Sequence, residues 1–158
     1  MRGKYTLYIY IAIGVLKTVA LTACDRQTVY NHFEHVPVTG WEKNDVLSFN
    51  VPAMKQDGLF VEEVGLRISG AYPFMGLNLI VDQTIFPSRE VRHDTLQCSV
   101  IDEQGNASGF GISQYQYAFP LTTLQLAKGD SLHISVRHDM KREILPGITD
   151  IGIRVSSE

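Results

Sequence analysis

An antiparallel β-sandwich of about seven to eight strands, of jelly-roll or immunoglobulin-like type, is the fold that this sequence predicts. Three observations carry the expectation. Apolar and polar residues alternate with period two through most of the chain, and turn signals rich in Gly, Pro and Asp separate the alternating runs. No stretch sustains a helical 3.6-residue period.

The elements follow in order. Within residues 25–40, Val29, Tyr30, Phe33 and Val36 suit an edge strand rather than a free tether. Residues 45–51 alternate until Pro52, which cannot continue a ladder. Residues 59–69 place Phe60, Glu62, Val64, Leu66 and Ile68 on one, largely apolar, face. Residues 76–85 set Leu77, Leu79 and Val81 against Asn78, Ile80 and Asp82, and residues 91–101 form the next strand. Residues 102–106 make a polar turn with Gly105 available for positive φ. Residues 109–119 alternate aromatics and end at Pro120, with a short ambiguous run at 121–126. Residues 131–136 and 148–155 supply the last two strands, separated by a turn ending at Gly147. The nearest approach to a helix, residues 140–145, is no longer than a turn.

The amino-terminal segment has a different logic. Arg2 and Lys4 precede an apolar run, and small residues precede a cysteine in Leu21-Thr22-Ala23-Cys24. A basic start, apolar middle and small-residue exit describe a secretory signal, and the four-residue ending resembles a bacterial lipobox. That resemblance implies cleavage before Cys24, diacylation of its thiol and acylation of the new amino terminus. Two or more acyl chains hold a protein stably to a bilayer. A transmembrane helix is the weaker reading because Lys17 interrupts the apolar run. Residues 1–23 therefore read as a cleaved lipoprotein signal, 24–29 as a short tether anchored by lipid on Cys24, and 30–158 as the β-sandwich domain.

Loss of Arg2, Lys4 and Lys17 with the signal leaves 11 Lys+Arg against 17 Asp+Glu, a mature net charge of −6. That balance excludes nucleic acid as a partner, since phosphate neutralisation dominates such binding. Cys98 alone remains beside the acylated Cys24, so no disulfide framework forms, and its alternation with Leu96 and Val100 marks it as a buried hydrophobe.

No constellation reads as catalytic, and neither a cofactor nor a metal is expected. His32 and His35 have a metal-like spacing, but on a strand they do not share a face and no third ligand accompanies them. Arg92-His93-Asp94 and Arg137-His138-Asp139 are identical triplets whose adjacent His and Asp point to opposite faces, so they cannot act as part of a triad. Glu62 and Glu63 likewise face apart and make no carboxylate pair. The aromatics Trp41, Tyr72, Phe74, Tyr115 and Tyr117 suit core or rim packing, with a docking surface as the alternative. Asp94-Thr95-Leu96 and Asp130-Ser131-Leu132 resemble the O-glycosylation pattern of exported proteins in Bacteroidota, which makes Thr95 and Ser131 candidate acceptors.

Two longer stretches carry a family resemblance. They are Gly65-Leu66-Arg67-Ile68-x-x-x-Tyr72-Pro73-Phe74-x-x-Leu77-x-Leu79 and His138-Asp139-Met140-Lys141-Arg142-Glu143-x-Leu145-x-Gly147-Ile148-x-Asp150-Ile151-Gly152-Ile153-Arg154-Val155. With the lipobox, Trp41 ahead of the first clear strand, and the glycines at 105, 109 and 111, the mature chain resembles the gliding-motility-associated GldH lipoprotein family of Bacteroidota. The resemblance implies a non-enzymatic envelope lipoprotein associated with motility machinery. It implies a membrane held through lipid and other envelope proteins as partners. The expected address is the periplasmic face of the outer membrane. A carbohydrate-binding sandwich is the alternative function, with Trp41, Tyr72 and Tyr115 as its candidate platform.

Overall fold

The structure, a computed structural model, describes residues 27–102 and 104–158. The expected signal, Cys24 and residues 25–26 of the expected tether lie outside the described residues, while Thr28 and Val29, assigned to that tether, belong to the first strand. Ten strands form: β1 (Thr28–His35), β2 (Trp41–Glu42), β3 (Leu47–Val51), β4 (Gly58–Ser69), β5 (Gly76–Phe86), β6 (Glu90–Ser99), β7 (Gln114–Leu126), β8 (Ser131–His138), β9 (Ile144–Leu145) and β10 (Ile148–Ser157). Among the described residues there is no helix, and so none long and apolar enough to cross a membrane.

Eight strands build two antiparallel sheets. One has the order β1-β10-β4-β7 and the other β3-β8-β5-β6, while β2 and β9 pair as a two-stranded ribbon. Only β5 and β6 are consecutive partners within a main sheet; β3 to β4, β4 to β5, β6 to β7 and β7 to β8 each cross between sheets. This is the eight-stranded jelly roll rather than the immunoglobulin arrangement. The sandwich was legible from alternation, and the topology decides between its two variants.

The core lies where the apolar phases of the two sheets meet. Phe60, Val64 and Leu66 of β4, Ile151, Ile153 and Val155 of β10, Leu77, Leu79 and Val81 of β5, and Leu132, Ile134 and Val136 of β8 are all buried. Fully burying side chains of this size contributes about 1.5–3 kcal/mol each. Trp41 closes one end of the sandwich, its indole Nε1–H donating to the Asp45 carbonyl at 3.0 Å.

One strand departs from the sequence reading. Residues 109–113 lie outside any strand, and β7 runs unbroken through Pro120 to Leu126. Proline is tolerated there because β7 is an edge strand and because the register shifts at that point. Glu62 pairs with Thr122 and Glu63 with Pro120, so Leu121 is the extra residue of a bulge.

The sandwich is about 30 Å long at about 3.3 Å per strand residue. At one pole lie the start of β1, the end of β10, the β3–β4 loop and the β7–β8 turn. At the other lie the β4–β5 loop, the β6–β7 loop and the β2–β9 ribbon.

Candidate functional site

The two poles differ in what they expose. At the pole where β1 begins, Lys55 borders a cleft with Gln27, Thr28, Val29 and Pro52. The Lys128 amide donates to Asp57 Oδ1 nearby. Arg89 occupies the β5–β6 turn at φ 62°, flanked by the exposed Phe86 and Val91. At the opposite pole the exposed apolar residues are Val38, Val46, Met75, Phe110, Ile112 and Ile144. Phe110 and Ile112 are 89% and 97% exposed, in the long β6–β7 loop. Asp102 organises the start of that loop, accepting from the Gln104 and Asn106 amides. The Asn106 hydrogen bonds hold its carboxyl below the usual carboxylate range.

The aromatics singled out from sequence pack inward for the most part. Trp41, Tyr72 and Tyr117 are buried, while Phe74 and Tyr115 pack partly buried against the core. The Tyr72 hydroxyl donates to the Gly76 carbonyl at 2.9 Å and the Tyr117 hydroxyl to the Val100 carbonyl at 2.8 Å, which satisfies both polar ends. Burial raises the Tyr72 pKa strongly. A carbohydrate platform formed by Trp41, Tyr72 and Tyr115 is therefore not assembled, because two of the three rings have no accessible face.

The histidines separate as strand geometry demands. His32 bonds Glu34 on one face of β1, and His35 bonds Asp150 on the other. No group of three or more potential metal ligands occurs among the described residues. The two Arg-His-Asp triplets lie on neighbouring strands of β5 and converge on a residue that sequence reading missed. Asp82 Oδ1 is 2.7 Å from His93 Nδ1, and its other oxygen is 4.0 Å from Arg137 Nη2. Ser135 is the next residue in the same cross-strand row. The carboxylate sits between the histidine and the serine positions, so no base faces a nucleophile there. His138 instead packs inside, edge-on to Trp41 at 5.3 Å, accepting from the Met140 amide while its Nε2 lacks a hydrogen bond. Desolvation depresses its pKa, which disfavours the charged imidazolium. Cys98 is buried and its thiol pKa is pushed up to about 12 by desolvation, which disfavours the nucleophilic thiolate.

Two further arrangements required the register to be seen. On the outer face of the first sheet, Phe33, Gly152, Gly65 and Ala118 form one row across four strands. The Phe33 ring lies over both glycines, where a Cβ on either would come within 2.6 Å of it. Arg67 caps the ring at 4.0 Å and bonds Gln116, while Arg154 pairs with Glu63 on the other side. Inside the sandwich, Glu62 and Gln83 are both fully buried and their side-chain polar atoms make no hydrogen bond. Desolvation raises the Glu62 pKa to about 7, and the neighbouring Gln83 amide offsets this in part.

The sequence profile of the GldH lipoprotein family matches residues 28–155, from the first residue of β1 to Val155 of β10. The chain is 28% identical over 153 residues to the gliding motility lipoprotein GldH of Flavobacterium johnsoniae, covering 92% of this chain and 95% of that one. Among solved structures, it is similar to the globular domain of a zebrafish complement 1qA protein, with a TM-score of 0.43 and 11% identity over 84% of this chain and 97% of that one. A protein from Sulfurospirillum deleyianum follows with a TM-score of 0.40 and 9% identity, over 82% and 98% of the two chains. Both structural likenesses are too distant to bear on function. With residues 28–155 matched by the family profile, the chain belongs to the GldH lipoprotein family.

Proposed function

We infer that this protein is a non-enzymatic component of the gliding or envelope machinery, held by lipid on Cys24 at the periplasmic face of the outer membrane. The observation that carries this reading is the family match across residues 28–155, together with a relative named for gliding motility that is matched over nearly its full length. Among the described residues His93 meets Asp82 and His138 packs edge-on to Trp41, so each histidine has a structural partner.

The geometry gives the anchor a mechanical meaning. β1 begins at Thr28, so a chain acylated on Cys24 has only residues 24–27 between lipid and sheet. Such a segment spans about 13 Å when extended. It would hold the β1 pole against the headgroups, where Lys55, Arg89 and Lys128 face phosphates and Phe86 reaches the interface. The opposite pole would then project about 30 Å into the compartment and meet partners. Thr95 is exposed on the outer face of edge strand β6, and Ser131 opens β8 on the same sheet; both suit glycan attachment. Crosslinking in native membranes tests the reading. Recovery of envelope motility or secretion components is expected, and recovery of the monomer alone would contradict it.

A further inference from the structure

At the pole remote from the start of β1 a cleft of about 570 Å³ opens between the β2–β3, β4–β5 and β8–β9 loops. Its rim carries Lys43, Lys141 and Arg142, with Asp139 as the only acidic side chain lining it. None of the three cations has an ion-pair partner within 4 Å among the described residues. Arg92, Arg137 and Arg154 are paired, whereas Lys55, Arg67, Arg89 and Lys128 are unpaired like the cleft cations but are not gathered in one cleft with each other. A chain with a mature net charge of −6 thus gathers unpaired positive charge in one concavity.

The cleft is built rather than incidental. The Lys43 amide donates to the Glu143 carbonyl at 2.8 Å and the Asp139 amide to the Asn78 carbonyl at 2.8 Å, which fastens the loops to one another. The Asn78 amide in turn donates to the Met140 thioether at 3.5 Å. Phe74 is braced against Tyr72 at 5.5 Å and an interplanar angle of 71°. The floor is therefore apolar and fixed, and the rim is cationic.

We propose that this cleft binds an acidic, extended peptide segment of an envelope partner, carboxylates meeting Lys43, Lys141 and Arg142 and an apolar side chain seating on Phe74 and Met140. Clusters of cations recognise acidic motifs through charge-assisted hydrogen bonds, and thioethers adapt to varied apolar side chains. The volume suits about four residues, within the range of well-formed binding clefts. A glycan is disfavoured because the floor offers a thioether and a half-buried ring instead of an exposed flat aromatic face. The anchoring bilayer is disfavoured because the cleft lies at the far pole. The proposal rests on the envelope reading only for the source of the peptide; the binding chemistry stands without it.

The test uses the full, acylated protein in detergent micelles and a short fluorescein-labelled peptide that alternates glutamate with leucine, read by fluorescence anisotropy. Saturable binding is expected, weakening as salt rises. The paired reversals Lys141→Glu and Arg142→Glu should lower affinity at least about tenfold. The charge-matched pair Lys55→Glu and Lys128→Glu at the other pole should leave it within about twofold. A peptide with serine in place of leucine should bind more weakly. Equal losses from both pairs of reversals would overturn the site, as would equal binding of a lysine–leucine peptide or no binding at all. Tighter binding of polygalacturonate would assign the cleft to glycan and overturn the peptide. Unchanged circular dichroism of each variant excludes misfolding as the cause of a loss.

Discussion

Glu62 should make this protein less stable as the solution becomes less acidic. Its carboxyl is fully buried between the sheets, and its pKa rises from 4.5 to about 7 through desolvation. In the unfolded chain the group ionises near 4.5, while in the folded chain it keeps its proton until about pH 7. Across that window the native state binds more protons than the unfolded state, so stability is fully present below 4.5 and falls as pH rises through 7. Each unit of pKa difference corresponds to 1.36 kcal/mol, so the loss is about 3 kcal/mol. Against a total of about 5–15 kcal/mol for a typical domain, that is a large share.

His138 pulls in the opposite direction. Its pKa is depressed, so its contribution is present above the unfolded value of 6.5 and is lost on acidification below it. Glu62→Gln removes only the first effect and leaves the second in place. Urea denaturation of both proteins between about pH 5 and pH 8 reads the difference directly. Near pH 5 the two should be close, and near pH 8 the variant should be more stable by about 3 kcal/mol. Parallel profiles, with a constant gap at every pH, would refute the buried-carboxyl reasoning.

Other consequences are equally open to measurement. Phe33→Ala and Gly152→Val should each destabilise by about 1–3 kcal/mol, and the double variant by less than their sum, because both act on the same ring-over-glycine contact; a double-mutant cycle in urea reads the coupling. Trp41→Ala should cost about 3–5 kcal/mol in urea unfolding, since a fully buried ring, its bond to the Asp45 carbonyl and its contact with His138 all go together. The Cys98 thiol should resist iodoacetamide at mildly alkaline pH in the native protein and react once the protein is unfolded, as mass spectrometry would show.

Alternation carried most of the fold into view from sequence. Period two placed Leu77, Leu79 and Val81 on the buried face of β5, and the edge strand anticipated within residues 25–40 is β1. Pro120 misleads because a proline ends a central strand but not an edge strand, and edge position is a property of topology. Glu62 carried a readable signal, since it shares the phase of Phe60 and Val64; Gln83 shares that of Val81 and Ile85. Their facing one another across the sandwich depends on sheet order. The same holds for Asp82 between His93 and Arg137, and for Phe33 over Gly65 and Gly152, which lie in three different strands. The basic cleft was illegible for a similar reason. Lys43, Phe74 and Arg142 come from three separate loops, and no spacing along the chain encodes their convergence.

In the proposed function, lipid on Cys24 holds this jelly roll at a membrane by the pole where β1 begins. Mass spectrometry of the mature amino-terminal peptide, isolated from membranes of cells producing the full chain, is the decisive measurement. The predicted result is a peptide that begins at Cys24 and carries acyl chains on its thiol and on its amino group. An unmodified Cys24, or an amino terminus elsewhere in the chain, would contradict it.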